Sequence, residues 1–120
     1  LEAERPHPLH PALEEAEGYR RLVQGSALRR VSRERLQRNA AIALGNSGSP
    51  AALPPLLEAL RSNKSALVRL HCAWAIGRLG FISARDELSA ALVLEADREV
   101  RTELEWALEM VVKSHTKSRL

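Results

Sequence analysis

The sequence predicts an all-α fold, a short α-solenoid of about three helix pairs that repeat with a period near 32 residues over residues 12–113. The first observation is an internal repeat, because a shift of 32 positions places Trp74-Ala75-Ile76 on Trp106-Ala107-Leu108 and Gly48 on Gly80. The second is composition. Of the 120 residues, 45% are hydrophobic but only 3% are aromatic, which favours an aliphatic core. Repeats of this length are typical of stacked helix pairs.

The start of the chain predicts a linker followed by the first copy of the repeat. Three prolines within residues 1–11 interrupt any regular helix there, so this segment is expected to be extended. The first copy is predicted over residues 12–47. It would contain a weaker helix over 13–23 and a stronger helix over 33–47, which Ser32 would cap.

The second copy begins with a proline-rich helix. Ser49 is predicted as the N-cap, with Pro50 at the first helical position. Pro54 and Pro55 lack the N–H groups that a helix interior needs. The regular helix is therefore expected to start late and to end near residue 60.

The remaining predicted helices have clearer end signals. Ser65 precedes a run with helical apolar spacing and Gly80 follows it, which predicts a helix over 66–78 and a second copy over 50–78. The third copy repeats this plan over 84–113, with helices over 84–94 and 98–113, Asp97 as the N-cap and a frayed tail over 114–120.

One wholly apolar face on each predicted second helix indicates the core. Cys72 shares its place in the repeat with Ala40 and Leu104, so we interpret it as a small core residue rather than a nucleophile or ligand. Arg69 and Arg101 are predicted to tie neighbouring copies together through loop carboxylates. The predicted core face comprises Leu36, Ala40, Ala43, Leu44, Val68, Cys72, Ala75, Ile76, Val100, Leu104, Ala107 and Leu108.

The face beside the predicted core mixes polar side chains with apolar and indole groups. Helices that line up in a solenoid would make this face one continuous polar strip. The strip is neutral to basic in the first two copies, whereas Glu99 and Glu103 make its far end acidic. A polyanion is therefore predicted to lie across the first two copies, and packing between adjacent helices is the alternative role for Trp74 and Trp106. The polar strip consists of Arg35, Asn39, Ile42, Asn46, Leu67, His71, Trp74, Arg78, Glu99, Glu103, Trp106 and Met110.

Basic residues concentrate in one segment of the chain. Residues 19–38 hold seven arginines and a single acid, Glu34, although the formal net charge of the whole chain is only +3. An arginine block of this kind predicts an anion-binding surface. A solvated helix face is the alternative interpretation.

Several classes of function are excluded by what the sequence lacks. A single cysteine cannot form an internal disulfide, a four-cysteine zinc site or a self-contained iron–sulfur cluster. No apolar run is long enough to span a membrane, no glycine-rich phosphate loop occurs, and no catalytic constellation is complete. We therefore predict that the chain alone is not an enzyme, holds no metal and resides in the cytoplasm.

The segment VRLHCAWAIGRLG at residues 68–80 returns in weaker form as VRTELEWAL from residue 100. This signature resembles the HEAT-like repeat of the phycobilisome-lyase type. The resemblance covers about residues 33–112. It implies the fold rather than the function, because one fold hosts many functions.

A narrower motif reads GSALRRVSRERLQRNAAIALGN over residues 25–46 and continues with HCAWAIGR over residues 71–78. It resembles the C-terminal region of bacterial epoxyqueuosine reductase, a family that reduces the epoxide of epoxyqueuosine in the tRNA anticodon loop. The resemblance implies that this chain is the C-terminal tail of such an enzyme. It also implies that the upstream part holds [4Fe–4S] clusters and cobalamin, with no cofactor in this chain, and that tRNA and the upstream catalytic domain are the partners.

Together with the arginine block, this resemblance predicts an RNA-binding module that engages tRNA. One alternative is a generic protein-docking HEAT scaffold that uses the acidic end and the tryptophans. Another is a HEAT-like DNA glycosylase with Glu103 as the catalytic carboxylate. The candidate RNA-binding residues are Arg29, Arg30, Arg33, Arg35, Arg38, Asn39, Asn46, His71 and Arg78.

Overall fold

The computed structural model describes residues 27–118, with side chains from residue 32 onward. This part of the chain contains helices and turns but no strand, so the predicted all-α fold is confirmed. The predicted linker over 1–11 and the helix over 13–23 lie outside the described residues. The helices are α1 (Ala27–Ser47), α2 (Leu53–Ser62), α3 (Ala66–Leu79), α4 (Arg85–Leu94) and α5 (Arg98–Ser118), with 3₁₀ turns at Pro50–Ala52 and Ile82–Ala84.

The helices form two layers. Helices α1, α3 and α5 pack side by side with α3 in the middle, while α2 packs on α3 and α4 packs on α5. The second and third copies of the repeat are thus helix pairs, and the described part of each copy packs mainly on its neighbours, as in a solenoid. None of the described helices is long and apolar enough to cross a membrane.

Local capping groups set the start of α3 and α5. The Val68 backbone N–H donates to Ser65 Oγ at 3.2 Å, and the Val100 N–H donates to Asp97 Oδ1 at 3.0 Å. Each bond satisfies one of the N–H groups that the first turn of a helix leaves unpaired. Gly80 ends α3 in the left-handed conformation with φ of 75°. These three predicted end signals are confirmed.

The proline-rich start of the second copy also follows the prediction. The Ala51 N–H donates to Ser49 Oγ at 3.1 Å, which caps a short 3₁₀ turn before α2. Because α2 begins at Leu53, Pro54 and Pro55 occupy its first turn, where a missing N–H costs no helical hydrogen bond. The late start of the regular helix is therefore confirmed.

The predicted start of α1 was wrong. The helix begins at Ala27 rather than at residue 33, and Ser32 lies inside it with 4% of its surface exposed, not at its N-cap. Arg33 occupies the position in the first copy that is equivalent to the N-cap residues Ser65 and Asp97 of the later copies. An arginine side chain has no acceptor for a backbone N–H, so nothing begins a new helix there.

The predicted end of α5 near residue 113 was also wrong, because the helix continues to Ser118 and the segment 114–118 is helical rather than frayed. Tertiary packing accounts for the extension. Ser114 lies against the end of α3, so that a Cβ atom built on Gly80 would lie only 2.8 Å from Ser114 Oγ. Residues 119–120 lie outside the described part of the chain.

The core lies between the two helix layers and is aliphatic, as predicted. The predicted core residues of α3 are fully buried, and Leu108 of α5 is half-buried. Ala73, which was absent from the predicted core, is also fully buried. Cys72 is 1% exposed, and burial raises the pKa of its thiol to about 12, in accord with an inert core residue. The largest fully buried side chains are Leu56, Ile76, Leu88, Leu104, Val68, Val100, Val111 and Cys72.

Candidate nucleic-acid interface

Two close helix contacts hold the polar strip together. A Cβ atom on Gly45 would lie 2.7 Å from Ala75 Cβ and 3.0 Å from the indole of Trp74. A Cβ atom on Gly77 would lie 2.7 Å from the indole of Trp106. The glycines therefore let α1, α3 and α5 approach closely. Both tryptophans pack between adjacent helices, the alternative role considered above, and both remain half-buried on the strip.

A hydrogen bond between copies fixes the basic part of the strip. Arg78 Nε donates to Asn46 Oδ1 at 2.7 Å, which joins α3 to α1. The terminal nitrogens of Arg78 make no hydrogen bond with any residue of the described part. The guanidinium is therefore oriented by one nitrogen and keeps its remaining donors for a ligand.

A second pair orients an arginine at the edge of the strip. Arg38 donates from Nε and from a terminal nitrogen to Asn39 Oδ1, at 3.3 and 3.2 Å. Arg35 lies one turn away and is exposed. Five of the predicted RNA-binding residues therefore share one exposed region of α1 and α3. These residues are Arg35, Arg38, Asn39, Asn46 and Arg78.

The structure does not bring every predicted residue to this region. Arg33 is exposed but lies about 160° around α1 from Arg35, at 3.6 residues per turn. It therefore does not belong to the polar strip. Arg29 and Arg30 lie in the first turn of α1, and their side chains are outside the described residues.

A pocket of about 270 Å³ lies in the strip between the basic region and the acidic end. His71 Nδ1 lies 2.9 Å from the Leu67 carbonyl oxygen. Because a carbonyl oxygen only accepts, Nδ1 carries the proton in this hydrogen bond and Nε2 remains for a ligand. The residues that line the pocket are Ile42, Leu70, His71, Trp74 and Glu103.

Arg69 ties neighbouring copies together through a loop carboxylate, as predicted, whereas the same prediction for Arg101 was wrong, because Arg101 bonds to backbone carbonyls of its own copy. Arg69 donates from Nε and a terminal nitrogen to both Glu95 carboxylate oxygens, at 3.0 and 2.9 Å, and to the Asn63 carbonyl at 3.0 Å. The hydrogen bond from Arg69 lowers the pKa of the Glu95 carboxyl and, in return, raises the pKa of Arg69. Arg101 donates to the carbonyls of Leu92 and Glu95. Both arginines are therefore structural.

A groove of about 470 Å³ between α2 and α4 was not predicted. Leu57, Leu60 and Leu94 line it, with Arg61 and Glu87 among its polar residues. The sequence feature that corresponds to this groove is the apolar end of α4. In the structure, Leu94 at this end is 85% exposed. An exposed leucine of this kind is visible in the sequence only once the buried face of α4 is known.

The described residues offer no site for an iron–sulfur cluster. The chain contains one cysteine, Cys72, and it is buried in the core, whereas a [4Fe–4S] cluster is held by several cysteine thiolates. Within residues 27–118, no group of three or more histidine, cysteine or acidic side chains is arranged to hold a metal ion. No step of chemistry is therefore assigned to a cofactor here.

Comparison with protein families gives a match to HEAT repeats over residues 25–109. The chain belongs to the HEAT repeat family. This match includes all of α1, α2, α3 and α4 and the part of α5 up to residue 109, so it agrees with the helices of the structure.

Relatives of known name point to one enzyme. The chain is 37% identical over 79 residues to epoxyqueuosine reductase of Bacillus subtilis, and 44% identical over 69 residues to that of Xanthomonas campestris. These matches cover 66% and 58% of this chain, but only 20% and 19% of the relatives. An uncharacterized protein of Geobacillus stearothermophilus is 41% identical over 76 residues, which cover 63% of this chain and 35% of that protein. The chain thus spans about a fifth of the length of the epoxyqueuosine reductases.

Two solved structures that resemble this chain are also of epoxyqueuosine reductase. A crystal structure of selenomethionine-labelled epoxyqueuosine reductase matches with a TM-score of 0.68 and 32% identity, covering 86% of this chain and 28% of that one. A crystal structure of epoxyqueuosine reductase with an epoxyqueuosine-modified tRNA-Tyr stem loop matches with a TM-score of 0.67 and 31% identity. That match covers 87% of this chain and 28% of the other.

Proposed function

We propose that this chain is an RNA-binding HEAT module that docks tRNA, and that it is the C-terminal part of an epoxyqueuosine-reductase-type protein. The observation that carries the proposal is the shared exposed region of Arg35, Arg38 and Arg78 with two asparagines on α1 and α3. The similarity to an epoxyqueuosine reductase crystallised with a tRNA stem loop supports it.

The chemistry of this region suits an RNA backbone. Arginine presents planar donors that bind phosphate through two parallel hydrogen bonds. In the Arg78–Asn46 and Arg38–Asn39 pairs, the asparagine oxygen orients the guanidinium before a ligand arrives. The asparagine amide groups keep donors for ribose or base oxygens. Fixed donors of this kind bind more strongly because less side-chain freedom is lost on binding.

The proposed function places the chemistry elsewhere in the polypeptide. This chain would contribute tRNA docking, while the reduction, the [4Fe–4S] clusters and the cobalamin would belong to an upstream catalytic domain. That domain would also be a partner of this module. The lone buried Cys72 supports this division, because it leaves the described surface without a thiolate ligand.

Binding of the 120-residue chain to an unmodified tRNA and to a DNA duplex of matched length, across a salt titration, tests the proposal. We expect tighter binding to tRNA near physiological salt. The double change Arg35→Ala with Arg78→Ala should weaken tRNA binding about tenfold or more and make the salt slope shallower by about 1.5, since each phosphate contact contributes roughly 0.7 to 0.9.

The matched control removes two exposed arginines that lie off the strip, Arg85→Ala with Arg98→Ala. Because these arginines lie off the strip, the variant should keep tRNA affinity within about twofold, although it makes the same change of net charge. Equal loss in both double variants would show that only net charge matters and would contradict the proposed interface. Equal binding of tRNA and DNA by the unaltered chain would contradict tRNA docking.

The groove between α2 and α4 favours a second candidate function, docking of a protein partner. Leu94, which lines the groove, is 85% exposed and the adjacent Val93 is 81% exposed, so a partner surface would bury neighbouring apolar side chains here. In that case Leu94→Ser would abolish association with the partner without changing tRNA affinity. Pull-down with an upstream segment of an epoxyqueuosine reductase is the measurement that separates the two functions.

A further inference from the structure

We infer that the pocket lined by His71, Trp74 and Glu103 is a base-recognition site for one unpaired guanine of the bound RNA. This inference rests on the proposed function and deepens it, because it names what the strip recognises beyond the phosphate backbone. Phosphate contacts position a nucleic acid, whereas contacts to base edges specify its sequence.

The size and place of the pocket suit a single base. Its volume of about 270 Å³ lies just under the roughly 300 to 1,000 Å³ of sites that enclose whole small-molecule ligands. It lies beside the basic region and opens on the same strip. A nucleotide whose phosphate binds Arg35 or Arg78 can therefore turn its base toward the pocket. Sequence-specific recognition of RNA uses unpaired bases of this kind.

The walls of the pocket provide a surface for stacking. The indole of Trp74 is half-buried and lies against Gly45, which holds the ring in place. Ile42 and Leu70 complete the apolar part of the lining. Stacking of a base on an aromatic ring contributes about 1–3 kcal/mol and tolerates every base, so another group must distinguish one base from the others.

Glu103 is the group that makes this choice. Within the described residues, its carboxylate forms no hydrogen bond and no ion pair, and it is the only acid in the pocket. A carboxylate repels phosphate, so on an RNA-binding surface it needs partners that donate hydrogen bonds. Guanine offers two adjacent donors on one edge, N1–H and the N2 amino group, which match the two carboxylate oxygens. Adenine, cytosine and uracil do not offer this pair on a single edge.

His71 adds a contact that depends on the sugar. Its Nδ1–H donates to the Leu67 carbonyl, so Nε2 is the ring nitrogen that can accept a hydrogen bond from a ligand. A ribose 2′-hydroxyl can donate to this nitrogen, whereas deoxyribose has no such group. Beyond the pocket, Glu99 extends the acidic end of the strip. The phosphate backbone is thereby kept over the first two copies while one base reaches the third.

Three RNA hairpins that differ in one loop position test the site. The position holds guanosine, inosine or adenosine, and every other loop nucleotide is uridine. Inosine lacks only the N2 amino group of guanine. We expect the 120-residue chain to bind the guanosine hairpin about tenfold more tightly than the inosine hairpin, in line with the discrimination that a paired contact to a base edge provides.

The variant Glu103→Gln should reduce this preference to less than twofold, because an amide cannot accept both hydrogen bonds at once. Glu99→Gln makes the same change of charge on the strip, outside the pocket, and should keep the tenfold preference. Circular dichroism checks that both variants fold. Equal affinity for the guanosine and inosine hairpins overturns the guanine site but leaves RNA binding intact. An equal loss of preference in both variants also overturns it, whereas no binding to any hairpin overturns the proposed function itself.

Discussion

The junction between α1 and α3 and the junction between α3 and α5 share one shape but differ in polarity. In each, a glycine meets a tryptophan and an alanine of the next helix, Gly45 in the first and Gly77 in the second. On the side of the first helices, the neutral Asn63 donates to Gln37 at the first junction, at 3.3 Å. At the second junction, the Arg69–Glu95 ion pair replaces it.

The two junctions share the residues that set the distance between the helices and differ in the charge of the polar pair beside them. The small and aromatic residues recur because they fix how closely the helices approach. The polar pair sits in the same place each time, since both pairs join residues 26 positions apart, but its charge differs. Side-chain chemistry at the edge of a repeat can therefore change without changing the solenoid.

The largest expected effect comes from breaking the polar pair at the second junction. Arg69→Met should lower the free energy of unfolding by about 3 kcal/mol, because it leaves the Glu95 carboxylate, 7% exposed, without its charge partner. The corresponding change at the first junction, Gln37→Met, removes one exposed neutral hydrogen bond and should cost about 0.5 kcal/mol.

Urea unfolding monitored by circular dichroism measures both changes. The double variant Arg69→Met with Glu95→Met should recover most of the loss, because no charge is left buried alone. Similar costs for Arg69→Met and Gln37→Met would contradict the difference between the junctions.

The next largest effect comes from adding a Cβ atom to the glycine at each junction, and it should be equal at the two junctions. Gly77→Ala places a Cβ atom 2.9 Å from the backbone Cα of Ala107, and Gly45→Ala places one 2.8 Å from that of Ala75. Overpacking of this kind costs about 3 kcal/mol, and the better helix propensity of alanine returns about 1. Each variant should therefore have a free energy of unfolding about 2 kcal/mol lower than that of the unaltered chain. A stabilised Gly77→Ala, seen as a raised Tm, would show that the helices have room to separate.

The smallest expected effect is a loss of stability at acid pH, and the polar pair of the second junction is its source. The hydrogen bond from Arg69 lowers the pKa of Glu95 in the folded chain below its ordinary 4.5. The Arg69–Glu95 pair therefore makes its full contribution to the free energy of unfolding above that pH. The contribution is lost as the pH falls through the lower pKa of Glu95 in the folded chain. The double variant Arg69→Met with Glu95→Met should lose less stability than the unaltered chain between about pH 5 and pH 3. Identical pH profiles would rule out this contribution.

The sequence was sufficient wherever a local signal decides the structure. Ser65, Asp97 and Gly80 determine the nearest helix ends through their own hydrogen bonds or conformation, so the boundaries around α3 and at the start of α5 were predictable. The start of α1 and the end of α5 were not. The N-cap place of the first copy holds Arg33, and the extension of α5 depends on the packing of residue 114 against α3.

The repeat also predicted part of the candidate interface. Residues 32 apart lie side by side, so the proximity of Asn46 and Arg78 follows from the sequence, and the structure has them in a hydrogen bond. The pocket could not be predicted in the same way. Its volume depends on how far α1, α3 and α5 approach one another, which the contacts at Gly45 and Gly77 decide. The arginine block by itself also gave no single face of the helix, because Arg33 and Arg35 both belong to it yet lie about 160° apart around α1.

Helix α3 presents Trp74 and Ala75 to the helix before it and Gly77 to the helix after it. A duplicated copy of residues 50–81 inserted after residue 81 would therefore meet, on each side, a surface that it already fits. Two polar pairs would change: Asn63 of the new unit would face Arg69 in place of a carboxylate, and its Arg78 would face the arginine of the preceding copy in place of Asn46. The solenoid could therefore be extended by whole repeats. Each added repeat would lengthen the polar strip by another His71, Trp74 and Arg78.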